Sequence, residues 1–243
     1  MKNLNALCLF TSLMLCSASL FAQANQPLFY GQSVGVIASD APAVLDAMDA
    51  WRSSEDGKAG NNTVVLLQNV VNGDYNSTHQ VNIFYPDGAA MDQSAQATAS
   101  SPAWKEFQSA LRKAARPEWE NTYAILRAKM KPGDISSSTP TSIIFAITVT
   151  DGARFMRAFD DFWGSPAIQE FPGAVYLGEV IAAGAMPGTH FVTFVADSRG
   201  KLTEAMMALR GTEAMASYTA AASGTRTLEA TNMTAEIKRW VNN

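Results

Sequence analysis

The chain repeats one pattern of apolar and polar positions twice, at a constant offset of 111 residues. In each copy an aspartate suited to cap a helix precedes apolar residues at i, i+1, i+4 and i+7, the spacing of an amphipathic helix. The first copy has Val44, Leu45, Met48 and Trp51 behind Asp40, and the second has Phe155, Met156, Phe159 and Phe162 behind Asp151. A pattern that recurs at a fixed spacing predicts a duplicated structural unit.

Each predicted helix lies between β-rich runs. The strands predicted for the first copy are 33–39, 63–71, 79–85 and 118–129, and those for the second are 143–150, 174–182, 190–196 and 227–239. The middle two strands of each copy flank Gly, Asn or Pro residues, as in a hairpin. A second helical region follows them and is interrupted in both copies, at 100–102 and at 211–212. Each unit therefore has the order βαββαβ.

The duplication also includes chemically informative residues. The dipeptide Thr78-His79 recurs as Thr189-His190 (190 − 79 = 111), and these are the only two histidines of the chain. We predict a first unit at 28–130 and a second at 141–240. The segment 131–140, rich in Pro, Gly and Ser, is predicted to link them.

A βαββαβ unit forms a four-stranded antiparallel sheet with both helices on one face, which places the chain in the α+β class. The other face needs cover because an exposed apolar sheet face promotes aggregation. We therefore expect the two sheets to pack with their bare faces together. In this respect the chain resembles the dimeric α/β-barrel superfamily, as a single-chain pseudo-dimer of two ferredoxin-like units.

The resemblance covers nearly all of the chain after residue 27 and rests on element order and the repeat. The superfamily includes cofactor-independent monooxygenases, stress-responsive barrel proteins, haem-degrading enzymes and chlorite dismutase-like haem proteins. The fold alone does not indicate which of these functions the protein has.

Residues 1–24 have the form of a signal peptide. Lys2 is followed by an apolar run at 7–20 and by Ala22-Gln23-Ala24, a small-x-small cleavage site. We expect a periplasmic or secreted protein. No later apolar run is long enough to span a bilayer, so no integral membrane segment is predicted.

Cleavage after Ala24 removes both cysteines, Cys8 and Cys16. Disulfides and cysteine metal sites are then not expected in the mature chain. The full chain has 18 Lys and Arg against 22 Asp and Glu, a net charge of −4. Loss of Lys2 moves the charge to −5, and no basic run occurs, which argues against a nucleic-acid partner.

His79 and His190 are the candidate catalytic residues because imidazole titrates near neutral pH. Another interpretation is that each simply begins a strand, held by its turn. Alternation places His79 on the same face of the strand as Val81 and Ile83. This face either lies under the helices, where a histidine would be structural, or lines the barrel interior. The histidines have no metal-binding spacing around them, so no metal site is predicted.

The opposite face of the same strands supplies the candidate ligand-binding residues. These are Gln80, Asn82 and Phe84 in the first unit, and Phe191 and Thr193 in the second. If this face lines the barrel, the cavity is largely apolar with a few polar groups and suits a small hydrophobic ligand. A solvated face in the first unit is the alternative.

Two functional classes follow, and the sequence does not decide whether the protein is an enzyme. The first is a non-enzymatic protein that binds a small apolar ligand or a partner. The alternative is a cofactor-independent, monooxygenase-like enzyme, in which His79 would matter more than His190 because Gln80 and Asn82 adjoin it. No cofactor is predicted, and a haem protein ranks third because neither histidine aligns with a proximal ligand. The oligomeric state is left open.

Overall fold

The computed structural model describes residues 27–131, 133–184 and 187–242, so the predicted signal peptide lies outside the described residues. The first half contains β1 (Phe29–Ala38), α1 (Ala41–Ser53), α2 (Glu55–Ala59), β2 (Thr63–Val71), β3 (His79–Tyr85), α3 (Gly88–Ala99), α4 (Pro102–Ala114) and β4 (Ala115–Lys129). The second half contains β5 (Thr141–Val149), α5 (Gly152–Trp163), α6 (Pro166–Gln169), β6 (Ala174–Ala183), β7 (His190–Ala196), α7 (Arg199–Arg210), α8 (Glu213–Ala221) and β8 (Arg226–Val241). From α1 onward, each element of the second half begins 111 residues after its counterpart (152 − 41 = 226 − 115 = 111).

The helices begin at the residues that the sequence predicted. Asp40 Oδ1 accepts a hydrogen bond from the backbone N–H of Ala43 at 3.0 Å, and Asp151 Oδ1 accepts one from Arg154 at 3.1 Å. These side chains satisfy backbone donors that have no partner within the helix. The interruption of the second helical region is a new N-cap in each unit, formed by Ser101 or Thr212.

The eight strands form a closed barrel in the order β1-β3-β2-β8-β5-β7-β6-β4, with all neighbours antiparallel. Each unit contributes four adjacent strands, and the units are hydrogen-bonded to each other at β2–β8 and β4–β6. The bare faces of the two sheets thus enclose a common interior, as predicted. In addition, the edge strands of the two sheets are hydrogen-bonded to each other, which the sequence did not predict. Closure leaves no free edge strand in the barrel.

The register makes the two histidines equivalent. His79 lies opposite Val36 and Gln68, and His190 lies opposite Ile147 and Glu179 (147 − 36 = 179 − 68 = 111). The same offset therefore relates the sequence, the elements and the strand pairing. The exact bounds of the two units and the linker stay predictions.

The first strand is longer than its sequence pattern predicted. It begins at Phe29 rather than at Ser33, although Gly31 and Gln32 are weak strand formers. Tyr30 pairs with Tyr85 on one side and with Ala124 on the other. Pairing on both sides, which a local pattern does not report, extends the strand.

Each unit has an apolar core between the outer face of its sheet and its own helices. In the second unit Phe155, Phe159 and Leu202 are fully buried in this core. In the first unit Val44, Met48 and Leu66 are buried in the equivalent core. Among the described residues, no helix is long and apolar enough to cross a membrane.

Replacement of Gly173 by alanine should destabilise the fold. Gly173 precedes β6 with φ +155°, and an added Cβ would lie 1.9 Å from the backbone oxygen of Val195. Because both the backbone conformation and the contact disfavour a side chain, we expect a loss of about 1–3 kcal/mol in the free energy of unfolding, measured in urea.

Gly88→Ala is the matched control, because its added Cβ would have no atom of the described residues within 4 Å outside its chain neighbours and its own helix backbone. It should leave stability unchanged or raise it by up to about 1 kcal/mol. Equal stability of the two variants would contradict this account of Gly173.

Candidate functional site

The inner face of the barrel lines a cavity of about 750 Å³. Alternate residues of a strand point to the same side of the sheet, so one face of each strand contributes to the lining. All five candidate ligand-binding residues lie on this face: Gln80, Asn82 and Phe84 on β3, and Phe191 and Thr193 on β7. The structure therefore brings these residues together, while their role in binding stays a prediction.

The cavity extends toward the end of the barrel at which β3 and β7 finish. Both strands run in the same direction, because every neighbouring pair in the barrel is antiparallel. Beyond their ends the lining continues with Asn62, Pro86, Ile135 and Ser137, which belong to connecting segments. The histidines begin these two strands and thus lie toward the opposite end.

A cluster of polar side chains from the first unit lines one side of the cavity, and we call it the polar patch. It consists of Ser33, Gln80, Asn82, Asn121 and Tyr123. Asn82 Oδ1 accepts hydrogen bonds from Ser33 Oγ at 2.7 Å and from Gln80 Nε2 at 2.6 Å. Gln80 Oε1 is buried and has no hydrogen-bond partner among the described residues. A buried acceptor without a partner is costly, so a ligand donor at this atom would be favourable.

Tyr123 supplies a phenol to the polar patch. Burial raises the pKa of Tyr123 above its usual value, and a side-chain hydrogen bond with Ser33 opposes this only in part. The hydroxyl therefore remains protonated at neutral pH and can donate a hydrogen bond.

The second unit places apolar side chains at two positions where the first unit has members of the polar patch, although Thr193, Glu236 and Arg239 of the second unit also line the cavity. Ile144 occupies the position equivalent to Ser33, and Phe191 occupies that of Gln80 (144 − 33 = 191 − 80 = 111). The Phe191 ring lies against Gly178, where a Cβ would come within 2.2 Å of it. A glycine is needed at this close approach. At these two positions the repeats differ in polarity, with a hydroxyl and an amide in the first unit and apolar side chains in the second.

An ion pair lies on β8, in the part of the lining that belongs to the second unit. Arg239 donates to Glu236 through Nε at 2.9 Å and through Nη2 at 2.6 Å. Only 7% of the Glu236 side chain is exposed, against 48% of the Arg239 side chain. The pair thus carries its carboxylate into the barrel wall and its guanidinium toward solvent.

Several of these lining residues were not identified from the sequence. They are Ser33, Asn121, Tyr123, Glu236 and Arg239. Strand alternation on β1 and β4 would have selected Ser33, Asn121 and Tyr123 once the inner face was known, but the pattern alone does not identify that face. Alternation does not select Glu236 and Arg239 together, because they are three residues apart and the pairing of β8 with β2 shifts its register between them.

Both histidines lie on the other face of the sheet, and neither lines the cavity. His79 is buried, and its Nδ1 is 2.9 Å from Thr78 Oγ1. His190 Nδ1 is likewise 2.9 Å from Thr189 Oγ1, and its ring centroid is 5.8 Å from that of Phe155 in α5. This geometry fits the interpretation that they begin strands under the helices. Their catalytic role stays a prediction, and the cavity does not favour it.

The residues of the cavity do not fit a haem held by histidine. Within the described part of the chain, no histidine or cysteine lines the cavity. No three His, Cys, Asp or Glu side chains of the described residues cluster in a way that could hold a metal ion. We therefore derive no chemical step through haem or a metal.

Solved structures with the same fold are similar to nearly the whole chain. A proposed monooxygenase from Lactobacillus acidophilus NCFM has a TM-score of 0.56 and 12% identity, covering 90% of this chain and 98% of that chain. A proposed monooxygenase from Fusobacterium nucleatum has a TM-score of 0.58 and 12% identity, covering 89% and 95%. An anthrone oxidase-like protein has a TM-score of 0.53 and 12% identity, covering 90% and 95%.

The chain has the dimeric α/β-barrel fold. This confirms the predicted α+β class and the single-chain pseudo-dimer of two ferredoxin-like units. No family model matches the sequence, and neither does any curated protein. At 12% identity the likeness shows the fold alone, so the function has to be argued from the cavity.

Stability should fall as the pH is lowered through the titration of the two histidines. Burial lowers the pKa of both imidazoles below the usual 6.5. Below pH 6.5 the unfolded chain therefore binds more protons than the folded chain. The stabilising effect of the neutral imidazoles is complete above pH 6.5 and is lost as the pH falls from there through the folded-state pKa. Urea midpoints measured between about pH 7.5 and 5 check this.

The double variant His79→Gln/His190→Gln keeps a polar side chain at both positions but removes both titrations. Its urea midpoint should depend less on pH than that of the natural chain over the same range. An identical pH dependence would mean that the histidines are not the groups responsible.

Proposed function

We propose that the barrel binds a small, largely apolar molecule that carries one polar group. The observation that supports this best is the polar patch, a localised cluster of polar side chains in a cavity whose lining is otherwise mainly apolar. Its volume of about 750 Å³ falls within the roughly 300–1,000 Å³ typical of small-molecule sites. Such sites combine a mainly apolar lining with a few polar groups that orient the ligand.

The polar patch provides the orientation in this proposal. A hydroxyl or N–H of the ligand donates to Gln80 Oε1, which otherwise has no partner among the described residues. Because this oxygen is buried, the Gln80 amide turns toward the cavity when the ligand binds. The body of the ligand then lies against Phe84 and Phe191 on the inner face. Aromatic rings favour edge contacts of the kind that Tyr123 already makes with Phe191, with centroids 5.0 Å apart and an interplanar angle of 86°.

We also propose that the protein acts outside the cytoplasm after loss of residues 1–24. The support is the sequence of this segment alone. Intact mass measurement on the chain from the envelope and culture fractions checks the proposal. A mass that begins at Asn25 or nearby is expected. Recovery of the full-length chain from the cytoplasm alone would contradict it.

A neutral fluorescent probe, N-phenyl-1-naphthylamine, should bind saturably in the barrel. Thr193→Trp places a large side chain inside the cavity and should weaken binding about tenfold or more, the equivalent of about 1.4 kcal/mol. Equilibrium dialysis measures the dissociation constant without relying on probe emission.

Thr203→Trp is the matched control, because it makes the same exchange at an exposed position of α7. It should bind the probe like the natural chain. Non-saturable binding to the natural chain, or equal binding by both tryptophan variants, would rule out the barrel as the site.

A second candidate function is cofactor-independent oxidation in the same cavity. The observation that favours it is a protonated Tyr123 hydroxyl beside the amides of the polar patch, which together can stabilise an oxyanion that forms on a substrate. The solved anthrone oxidase-like protein with this fold suggests a test compound. Anthrone and O₂ give anthraquinone and water, a balanced reaction that needs no further reductant.

Oxygen uptake with anthrone checks this second function. Turnover above the buffer rate is expected, and Tyr123→Phe should lower kcat about 10²–10³-fold, as for loss of one oxyanion donor. His79→Ala and His190→Ala should retain turnover, because neither histidine lines the cavity. An uptake rate equal to buffer would rule out this reaction for the protein. Loss of turnover in His79→Ala alone would instead support the catalytic role predicted from the sequence.

A further inference from the structure

A second cavity of about 860 Å³ lies outside the barrel, on the helical side of the second unit. It is bounded by β5, β7 and β8 of the sheet and by α5, α7 and α8. Its lining is mainly apolar and includes Phe145, Phe159, Phe162, Phe194, Met206 and Met215. The interior of the barrel lies on the opposite face of these strands, so the two cavities are separate. We call this second space the outer cavity.

At two positions of α4 the first unit has a larger side chain than the second unit has on α8. Trp104 stands at the position of Met215 (215 − 104 = 111), and Leu111 stands at that of Ala222 (222 − 111 = 111). The Trp104 ring packs 5.0 Å from Trp51, which closes the gap between α1 and α4. In addition, α4 has 13 residues and α8 has 9. The residues that border the outer cavity on α8 are therefore smaller or fewer than their counterparts on α4.

Two arginines line the outer cavity, and the first unit has alanine at both positions. Arg210 and Arg226 correspond to Ala99 and Ala115 (210 − 99 = 226 − 115 = 111). The Arg226 guanidinium carbon lies 5.2 Å from the centre of the Tyr218 ring. Its Nε is buried and has no hydrogen-bond partner among the described residues.

The charged residues that line the outer cavity are both arginines. None of the described residues that line it is acidic, so neither arginine has a carboxylate partner within the lining. A buried guanidinium N–H without an acceptor is unfavourable, and a carboxylate or sulfonate is the acceptor that fits its geometry best. The apolar lining requires that the rest of the ligand be apolar.

We propose that the outer cavity is a second binding site, for a small amphipathic anion with an apolar body and one carboxylate or sulfonate. The body packs against the phenylalanine and methionine side chains, and the anionic group meets Arg210 and Arg226. This site does not depend on the barrel site, so either can exist without the other.

Two probes that differ in one group test the site. The anion is 8-anilino-1-naphthalenesulfonate, and the neutral control is N-phenyl-1-naphthylamine, which has the same ring skeleton without the sulfonate. Equilibrium dialysis gives dissociation constants for the natural chain, Met215→Trp and Arg210→Gln/Arg226→Gln. The barrel variant Thr193→Trp separates the two cavities, and urea unfolding establishes that each variant is folded.

The proposal expects saturable binding of the anion that Met215→Trp weakens about tenfold or more, since the exchange installs the larger residue that the first unit has at the equivalent position. The double arginine variant should bind the anion more weakly by a similar factor, and its affinity for the neutral probe should be unchanged. Thr193→Trp should leave a saturable site for the anion. The single variant Arg210→Gln, at an exposed residue, supplies the charge test if a larger change prevents folding.

Three results would overturn the proposal. The first is an anion affinity that Met215→Trp does not change. The second is complete loss of anion binding in Thr193→Trp, which would assign the anion to the barrel. The third is an equal effect of the arginine variants on both probes, which would remove the role of the charge.

Discussion

The hydrogen-bonded pairing of β2 with β8 and of β4 with β6 is the constraint on which the rest of the structure depends. A four-stranded ferredoxin-like sheet has two free edges and one bare face. When both pairs of edges join, the backbone N–H and C=O groups of the edge strands gain hydrogen-bond partners. The same pairing encloses the two bare faces inside the barrel. Eight strands leave an interior that is either filled by side chains or able to hold one small ligand. Here a cavity remains, and it is lined by residues from both units.

The two repeats share the residues that build the scaffold and differ in residues that line the barrel cavity and the outer cavity. The helix caps Asp40 and Asp151 and the Thr-His pairs are retained with equivalent hydrogen bonds. Inside the barrel, the two repeats differ in polarity. Outside it, Trp104 of the first repeat packs against Trp51, whereas Met215 at the equivalent position of the second repeat lines the outer cavity. A scaffold needs the shared residues, whereas a ligand of low symmetry is better matched by unlike sides.

Much of the fold was predictable from the sequence because its signals are local. Helix stripes, caps and hairpin turns each depend on a few neighbouring residues, and the offset of 111 related the two halves. The predicted residues from Gln80 to Thr193 lie together in the cavity for the same reason, since strand alternation links positions on one face. The sequence could not predict which face that is, because the polar face of β3, with Gln80 and Asn82, is equally typical of a solvated face, and β7 is mainly apolar on both faces.

The rest of the site depends on contacts between distant segments. The hydrogen bond between Ser33 and Asn82 requires β1 to pair with β3, and the orphan acceptor of Gln80 is visible only in three dimensions. The Glu236–Arg239 pair faces the barrel only because β8 joins β2. The position of the histidines could not be decided for a similar reason, since a strand-start imidazole fits either side of the sheet.

A crystal structure of the chain from residue 25 onward, soaked with 2-naphthol, tests the central claim most directly. The account predicts one naphthol in the barrel, with its rings between Phe84 and Phe191 and its hydroxyl within about 3 Å of Gln80 Oε1. An interior closed by rearranged side chains, or naphthol bound only outside the barrel, would contradict the claim that this cavity is a ligand site.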